Sequence, residues 1–219
     1  SYDDRVKNFD WSIAEKELDY SPGDDINIGW YCSDRICEMG KADKTALIWE
    51  ADDPAVDKKI TYRELHQEVC KLGNVLKSRG VKKGDRVCIY MPMIPEAAVA
   101  MLACTRIGAV HSIVFGGFSA EAIRDRILDA GAKLVVTANE GLRGGRTLPL
   151  KETVDRAVDG LEMVETVLVA RRTEADVDMT PGRDFWLDQE CRRQRSTCTY
   201  EWMGSEDPLF ILYTSGSTG

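Results

Sequence analysis

Short apolar runs recur along this chain, each separated from the next by a longer stretch with helical patterning. The runs are "RVCIYM" (86–91), "AVHSIVF" (109–115), "AKLVVTA" (132–138), "VETVLVA" (164–170) and "LFILY" (209–213). Each has the length of a strand and is rich in β-branched or aromatic residues. Stretches such as "VVT" and "FILY" lack polar alternation, which fits strands covered on both faces. The intervening segments include "IPEAAVAMLACTRIG", "AEAIRDRILDAG" and "PLKETVDRAVDGL". Strands that alternate with helices must be joined by crossovers. The expected fold class is therefore α/β, a mainly parallel sheet with helices on both faces.

Punctuation residues set the boundaries. Thr61 and Glu64 form a T-x-x-E capping box that starts a helix, with Leu65, Val69, Leu72 and Leu76 along one face and Gly80 to end it. Pro95 opens the next helix and Gly108 follows it; Ser119 caps a third, closed by Gly131. "TALIWE" reads as a strand, "DFWLDQECRRQ" as a last helix before "LFILY", and the acidic "TEADVDMTPGRD" as an exposed excursion. Residues 1–44 are expected to be a lead-in packed on the main domain, with a helix in "INIGWYCSDRICEM"; residues 45–219 carry the α/β part.

Composition then narrows the function classes. The net charge of -8, from 29 basic and 37 acidic residues, argues against a nucleic-acid binder, which is expected to be basic. No apolar stretch approaches membrane-spanning length, and the polar, acidic start is not a signal peptide. The seven cysteines contain no C-x-x-C pair, and only two histidines accompany them, so a zinc site is not expected. Buried free thiols in a reducing compartment, the cytoplasm, fit better. His66 and His111 are expected to be packing residues, and no G-x-S-x-G elbow is present.

In parallel sheets, ligands bind beyond the carboxyl ends of strands. Three segments leave strand ends with unusual chemistry. "YTSGSTG" offers hydroxyls and glycines whose backbone N–H groups can turn inward around a phosphate, although it is not a Walker A loop. By composition it is equally a flexible linker, and the apolar run before it favours the cradle. "GLRGGR" sets Arg143 and Arg146 around two glycines, either an anion site on a soft loop or a solvated surface loop. "VFGGFS" places two glycines before a Ser-capped helix, either a place where a ligand approaches backbone or a tight turn.

Together these segments carry a resemblance. "YTSGSTG" resembles the signature phosphate loop of the adenylate-forming enzymes. "RVCIYMPMIPEAAVAMLACTRIGAVHSIVFGGFSAEAIRDRI" and "RGGRTLPLK" are similar to the AMP-forming acetyl-CoA synthetases within that superfamily. The resemblance runs from about Thr45 to Gly219. It implies ATP-dependent activation of acetate or another short carboxylate to acyl-AMP, then transfer to CoA, with magnesium assisting. It implies that Thr214, Ser215, Gly216, Ser217, Thr218 and Gly219 hold the ATP phosphates. Gly117, Arg143, Gly144, Gly145 and Arg146 are implied for CoA, with the arginines near its phosphates. It also implies that this sequence is the N-terminal portion of a longer protein, with the acyl pocket and catalytic lysine lying beyond Gly219. Two other classes stay open here: a nicotinamide-dependent Rossmann oxidoreductase, disfavoured by the missing fingerprint, and a non-catalytic nucleotide-binding module.

Overall fold

The computed structural model of the chain describes residues 2–53 and 55–214. It opens with helices α1 (Tyr2–Asn8), α2 (Trp11–Leu18), α3 (Ile28–Cys32) and α4 (Asp34–Ile36), then a π-helical turn at Cys37–Lys41. Helices α1 and α2 bury no residue, whereas α3 packs on a later helix through Gly29. An antiparallel hairpin, β1 (Thr45–Glu50) and β2 (Asp57–Thr61), leads into helix α5 (Tyr62–Ser78). The capping box at Thr61 is formed in both directions, and α5 buries Leu65, Val69, Leu72 and Leu76. The sequence pattern did not separate β2: "DKKIT" exposes three of its five residues, so it lacks the apolar signal of a core strand.

The main sheet follows. Strand β3 (Arg86–Met91) leads to α6 (Pro95–Arg106), β4 (Val110–Phe115), α7 (Ala120–Ala130) and β5 (Ala132–Ala138). A small hairpin, β6 (Gly141–Arg143) and β7 (Arg146–Leu148), precedes α8 (Leu150–Val158) and β8 (Thr166–Ala170). The chain then runs through β9 (Asp184–Trp186) and α9 (Leu187–Arg192) to β10 (Phe210–Ile211). Six strands form one parallel sheet in the order β10-β4-β3-β5-β8-β9. The expected α/β class is found.

The order reverses at β3. The chain steps from β3 out to β4, then returns across β3 to β5. Right-handed crossovers in opposite directions place α6 and α7 on opposite faces. Accordingly α6 packs with α5, and α7 packs with α8. Strands β5 and β8 are buried on both faces because each side has its helical layer.

Three expectations need correction. "DFWLDQECRRQ" is not one helix: its first three residues form β9, because Asp184, Phe185 and Trp186 pair beside β8. "LFILY" yields only the two-residue β10, with Phe210 and Leu212 exposed, because β10 lies at the sheet edge and among the described residues has a neighbour on one side only. The segment "TEADVDMTPGRD" is not a free excursion. The buried side chain of Asn139 donates to the carbonyls of Thr173 (2.9 Å) and Ala175 (3.0 Å), and Lys151 Nζ donates to the Asp178 carbonyl (2.8 Å). Polar tethers, together with Met179 against the core, hold this connection, and hydropathy gave no warning of the tethers.

Candidate functional site

Because the strands are parallel, the carboxyl ends of β3, β4, β5 and β8 share one edge. At that edge, where the strand order reverses, lies a cleft of about 420 Å³. Its floor is Met91, Pro92 and Phe115–Gly116; one wall is the β6–β7 hairpin and the other is the end of β1 with Arg172. This is the crevice in which doubly wound sheets take ligands.

The turn after β4 needs Gly116 for room, not for a left-handed backbone. A β-carbon on Gly116 would stand 3.1 Å from the Met91 carbonyl oxygen, and one on Gly117 would stand 3.4 Å from Arg143 Nη1. Arg143 lies with its guanidinium 4.9 Å above the Phe115 ring. The tertiary structure therefore brings Gly117 and Arg143 together at the cleft mouth. Ser119 caps α7 through the Ala122 amide (3.3 Å) just beyond.

The second glycine pair lies in a different local structure from the one expected. Residues 141–148 are not a soft loop but a two-residue hairpin. Gly144 (φ 55°) and Gly145 (φ 71°) take the left-handed conformations that a tight antiparallel turn demands. Arg143 and Arg146 are thereby register partners across the hairpin. Partners directly opposite in a ladder project to the same face, so the two arginine side chains leave the hairpin on one side.

The third predicted segment begins at the same edge. Ile211 is level with Ser112 of β4, where the pairing ends, and Thr214 follows three residues later. The rest of that expectation, Ser215 to Gly219, lies outside the described residues.

Sequence reasoning missed the far wall. Trp49 donates its indole N–H to the Met93 carbonyl (2.8 Å), Arg172 sits 5.1 Å over the Trp49 ring, and Arg172 pairs with Asp52 at 3.3 Å. Asn139 organises both walls. Its Oδ1 accepts from the amides of Glu140 (2.9 Å) and Arg172 (2.8 Å), one beside the hairpin and the other on the opposite wall. The available signal was its place immediately after β5, next to the glycine- and arginine-rich segment.

A second polar cluster lies apart from the cleft. Helix α6 runs from Pro95 beside the cleft to Arg106, about 16 Å away along its axis. Arg106 is almost fully buried, and its two terminal nitrogens bond Asp34 at 2.5 and 3.0 Å. His66 Nδ1 lies 3.2 Å from the same carboxylate. Burial works to raise the Asp34 carboxyl, but bonds from His66 and Arg106 outweigh it and hold it well below the usual range. The Asp34 carboxylate, and then Cys70, push the His66 imidazole up to about 9. Cys70 Sγ is 3.9 and 3.8 Å from the two ring nitrogens, so it rests against the ring face and is not aligned for proton transfer. This is a packed ion cluster, not a nucleophile with its base. His111 is held neutral by burial, which lowers it to about 4. Five of the seven cysteines are buried, and burial pushes Cys88, Cys104 and Cys191 up to about 12.

A family model described as "AMP-binding enzyme" matches residues 35–219. The chain belongs to the AMP-binding enzyme family. It is 56% identical over 209 residues to an acetyl-coenzyme A synthetase of Halorhodospira halophila, covering 95% of this chain and 32% of that protein. It is 58% identical over 221 residues to an acetyl-coenzyme A synthetase of Mesorhizobium japonicum, covering 98% of this chain and 33% of the relative. The crystal structure of an acyl-CoA synthetase from Brucella canis superposes with a TM-score of 0.78 at 25% identity, over 99% of this chain and 36% of that one. The chain thus spans about a third of the length of the curated relatives it matches. Neither the nicotinamide oxidoreductase nor the non-catalytic module gains support from these matches. Among the described residues of this AMP-binding family member, no helix is long and apolar enough to cross a membrane. Nor do three or more His, Cys, Asp or Glu side chains converge as metal ligands.

Proposed function

We propose that the protein to which this chain belongs joins acetate, or another short carboxylate, to CoA at the expense of ATP. A carboxylate oxygen attacks the α-phosphorus of ATP, pyrophosphate leaves, and the CoA thiol then displaces AMP from the acyl carbon. The proposed setting is the cytoplasm. Residues 45–219 supply part of the N-terminal domain of that enzyme, and residues 1–44 its lead-in.

The observation that carries this reading is the hairpin. Arg143 and Arg146 are register partners in the hairpin that walls the cleft, and Arg143 lines the cleft against the glycine turn at Gly117. Guanidinium forks match phosphate oxygens, and the planar group of Arg143 is already ordered on Phe115. We assign Arg143, Arg146, Gly117 and the turn residues Gly144 and Gly145 to the CoA nucleotide. Thr214, Ser215, Gly216, Ser217, Thr218 and Gly219 are assigned to the ATP phosphates. Magnesium is implied by the family resemblance, but the described residues build no site for it.

The test is to replace Arg143 or Arg146 by Ala in the full-length protein. Loss of one charge-assisted hydrogen bond costs about 1.5–3 kcal/mol, so the CoA concentration needed for thioester formation rises roughly ten- to hundredfold. ATP–pyrophosphate exchange with acetate stays near its original rate. An equal fall in exchange would assign these arginines to ATP or to folding instead.

A further inference from the structure

Arg126 on α7 joins the two proposed nucleotide regions physically. Its guanidinium lies 4.6 Å over the Phe118 ring, in the turn after β4, and 5.0 Å over the Tyr213 ring, the residue before Thr214. One planar cation thus contacts two rings that belong to segments far apart in sequence. Its Nη1 donates to the Ala122 carbonyl (2.9 Å), which fixes the group against its own helix.

Both ends of this bridge are held. Tyr213 also donates its hydroxyl to Asp129, one turn further along α7. Strand β10 pairs with β4 through only two residues, and Tyr213 lies beyond that pairing. Two contacts from α7 therefore do much to set where the chain enters the next segment. At the other end, Phe118 meets Phe115 edge to face at 6.3 Å, and its carbonyl accepts from Tyr90 Oη (3.1 Å). Phe115 in turn carries Arg143. An unbroken series of ring and guanidinium contacts runs from Arg143 through Phe115, Phe118 and Arg126 to Tyr213.

An aliphatic side chain at position 126 would fill space but offers no charge to attract the faces of the two rings. A guanidinium has two equivalent faces and holds each ring in a defined plane. Movement of Phe118 then changes the energy of Tyr213. We propose that Arg126 is a positioning residue that couples occupancy of the CoA side of the cleft to the placement of the segment entering the ATP loop. The inference rests on the functional reading above.

The experiment uses the full-length protein without any carboxylic acid, so that no turnover occurs. MgATP affinity is measured by titration calorimetry with and without saturating CoA, for the unsubstituted protein and for Arg126→Met. The expected result is that CoA changes the MgATP Kd about fivefold or more in the unsubstituted protein, within the usual range of coupling between sites. In Arg126→Met the ratio falls below about twofold, while each ligand alone binds within about threefold of normal. A merely structural role predicts something else: a lower melting temperature and weaker binding of each ligand alone, with the ratio unchanged. That result overturns the proposal, as does the absence of coupling in the unsubstituted protein. If Arg126→Met does not fold, Arg126→Lys, which keeps the charge and loses the plane, carries the same comparison. Failure of the unsubstituted protein to bind MgATP or CoA at all overturns the functional reading itself, and this inference with it.

Discussion

His66 and Asp34 show how a single pair of side chains can tie a chain's first helices to its core. Asp34 belongs to α4, His66 to α5 and Arg106 to α6, so one carboxylate gathers three elements. The sequence suggested only packing for His66, and the structure adds charge. Its folded pKa of about 9 exceeds the ordinary histidine value of about 6.5. A group raised in this way stabilises the fold fully below its unfolded value and loses that contribution as pH rises through the folded one. Stability should therefore fall between about pH 6.5 and 9.5, by something on the order of 2 kcal/mol. The His66→Gln variant should lack that portion of the slope in urea unfolding. Parallel curves for the two proteins across this window would remove His66 from the clamp. Asp34 acts at the acid end with the opposite sign: its depressed carboxyl contributes above the unfolded value and loses effect as pH falls through the folded one.

At the scale of elements, the β6–β7 hairpin is decided by its two turn residues. Nothing lies within 4 Å of a β-carbon built on Gly144 or Gly145, so space is not the constraint. The positive φ angles are. An L side chain in that conformation costs roughly 1–2 kcal/mol. Replacing both by Ala should splay the tip of the hairpin and separate Arg143 from Arg146, since the core holds only its base through Gly141 and Leu148. In the full-length protein the CoA requirement should rise about tenfold, with pyrophosphate exchange and the melting temperature nearly unchanged. Gly144→Asn, which tolerates the left-handed region, should keep normal CoA use. Full CoA use by the double Ala variant would show that the turn does not orient the arginines.

For the whole molecule, the cleft edge is assembled from several crossovers, yet the exposed face around Phe210 and Leu212 and the length of the relatives both bear on what this chain does alone. The 219-residue chain by itself should give no ATP–pyrophosphate exchange with acetate or propionate, whereas a protein of the relatives' full length should. Exchange by the shorter chain would mean that the adenylation machinery is already complete within it.

Local rules were enough for the central elements. "RVCIYM" and "AKLVVTA" became β3 and β5 residue for residue, and Thr61, Pro95, Ser119 and Gly131 start or close the helices as expected. Apolar periodicity and capping chemistry are properties of neighbours in sequence, so they survive without knowledge of the fold. The glycine and arginine segments were also visible as candidates, because their composition departs from their surroundings. The sequence could not show their geometry. The conversion of a supposed loop into a hairpin depends on φ angles at Gly144 and Gly145 and on packing against Phe115. The organising role of Asn139, the Asp34–His66–Arg106 cluster and the bridge at Arg126 all rest on polar or ring contacts between residues 8 to 87 positions apart. Such contacts leave no periodic trace. Only folding of the sheet, with its reversal at β3, brings those residues within reach of one another.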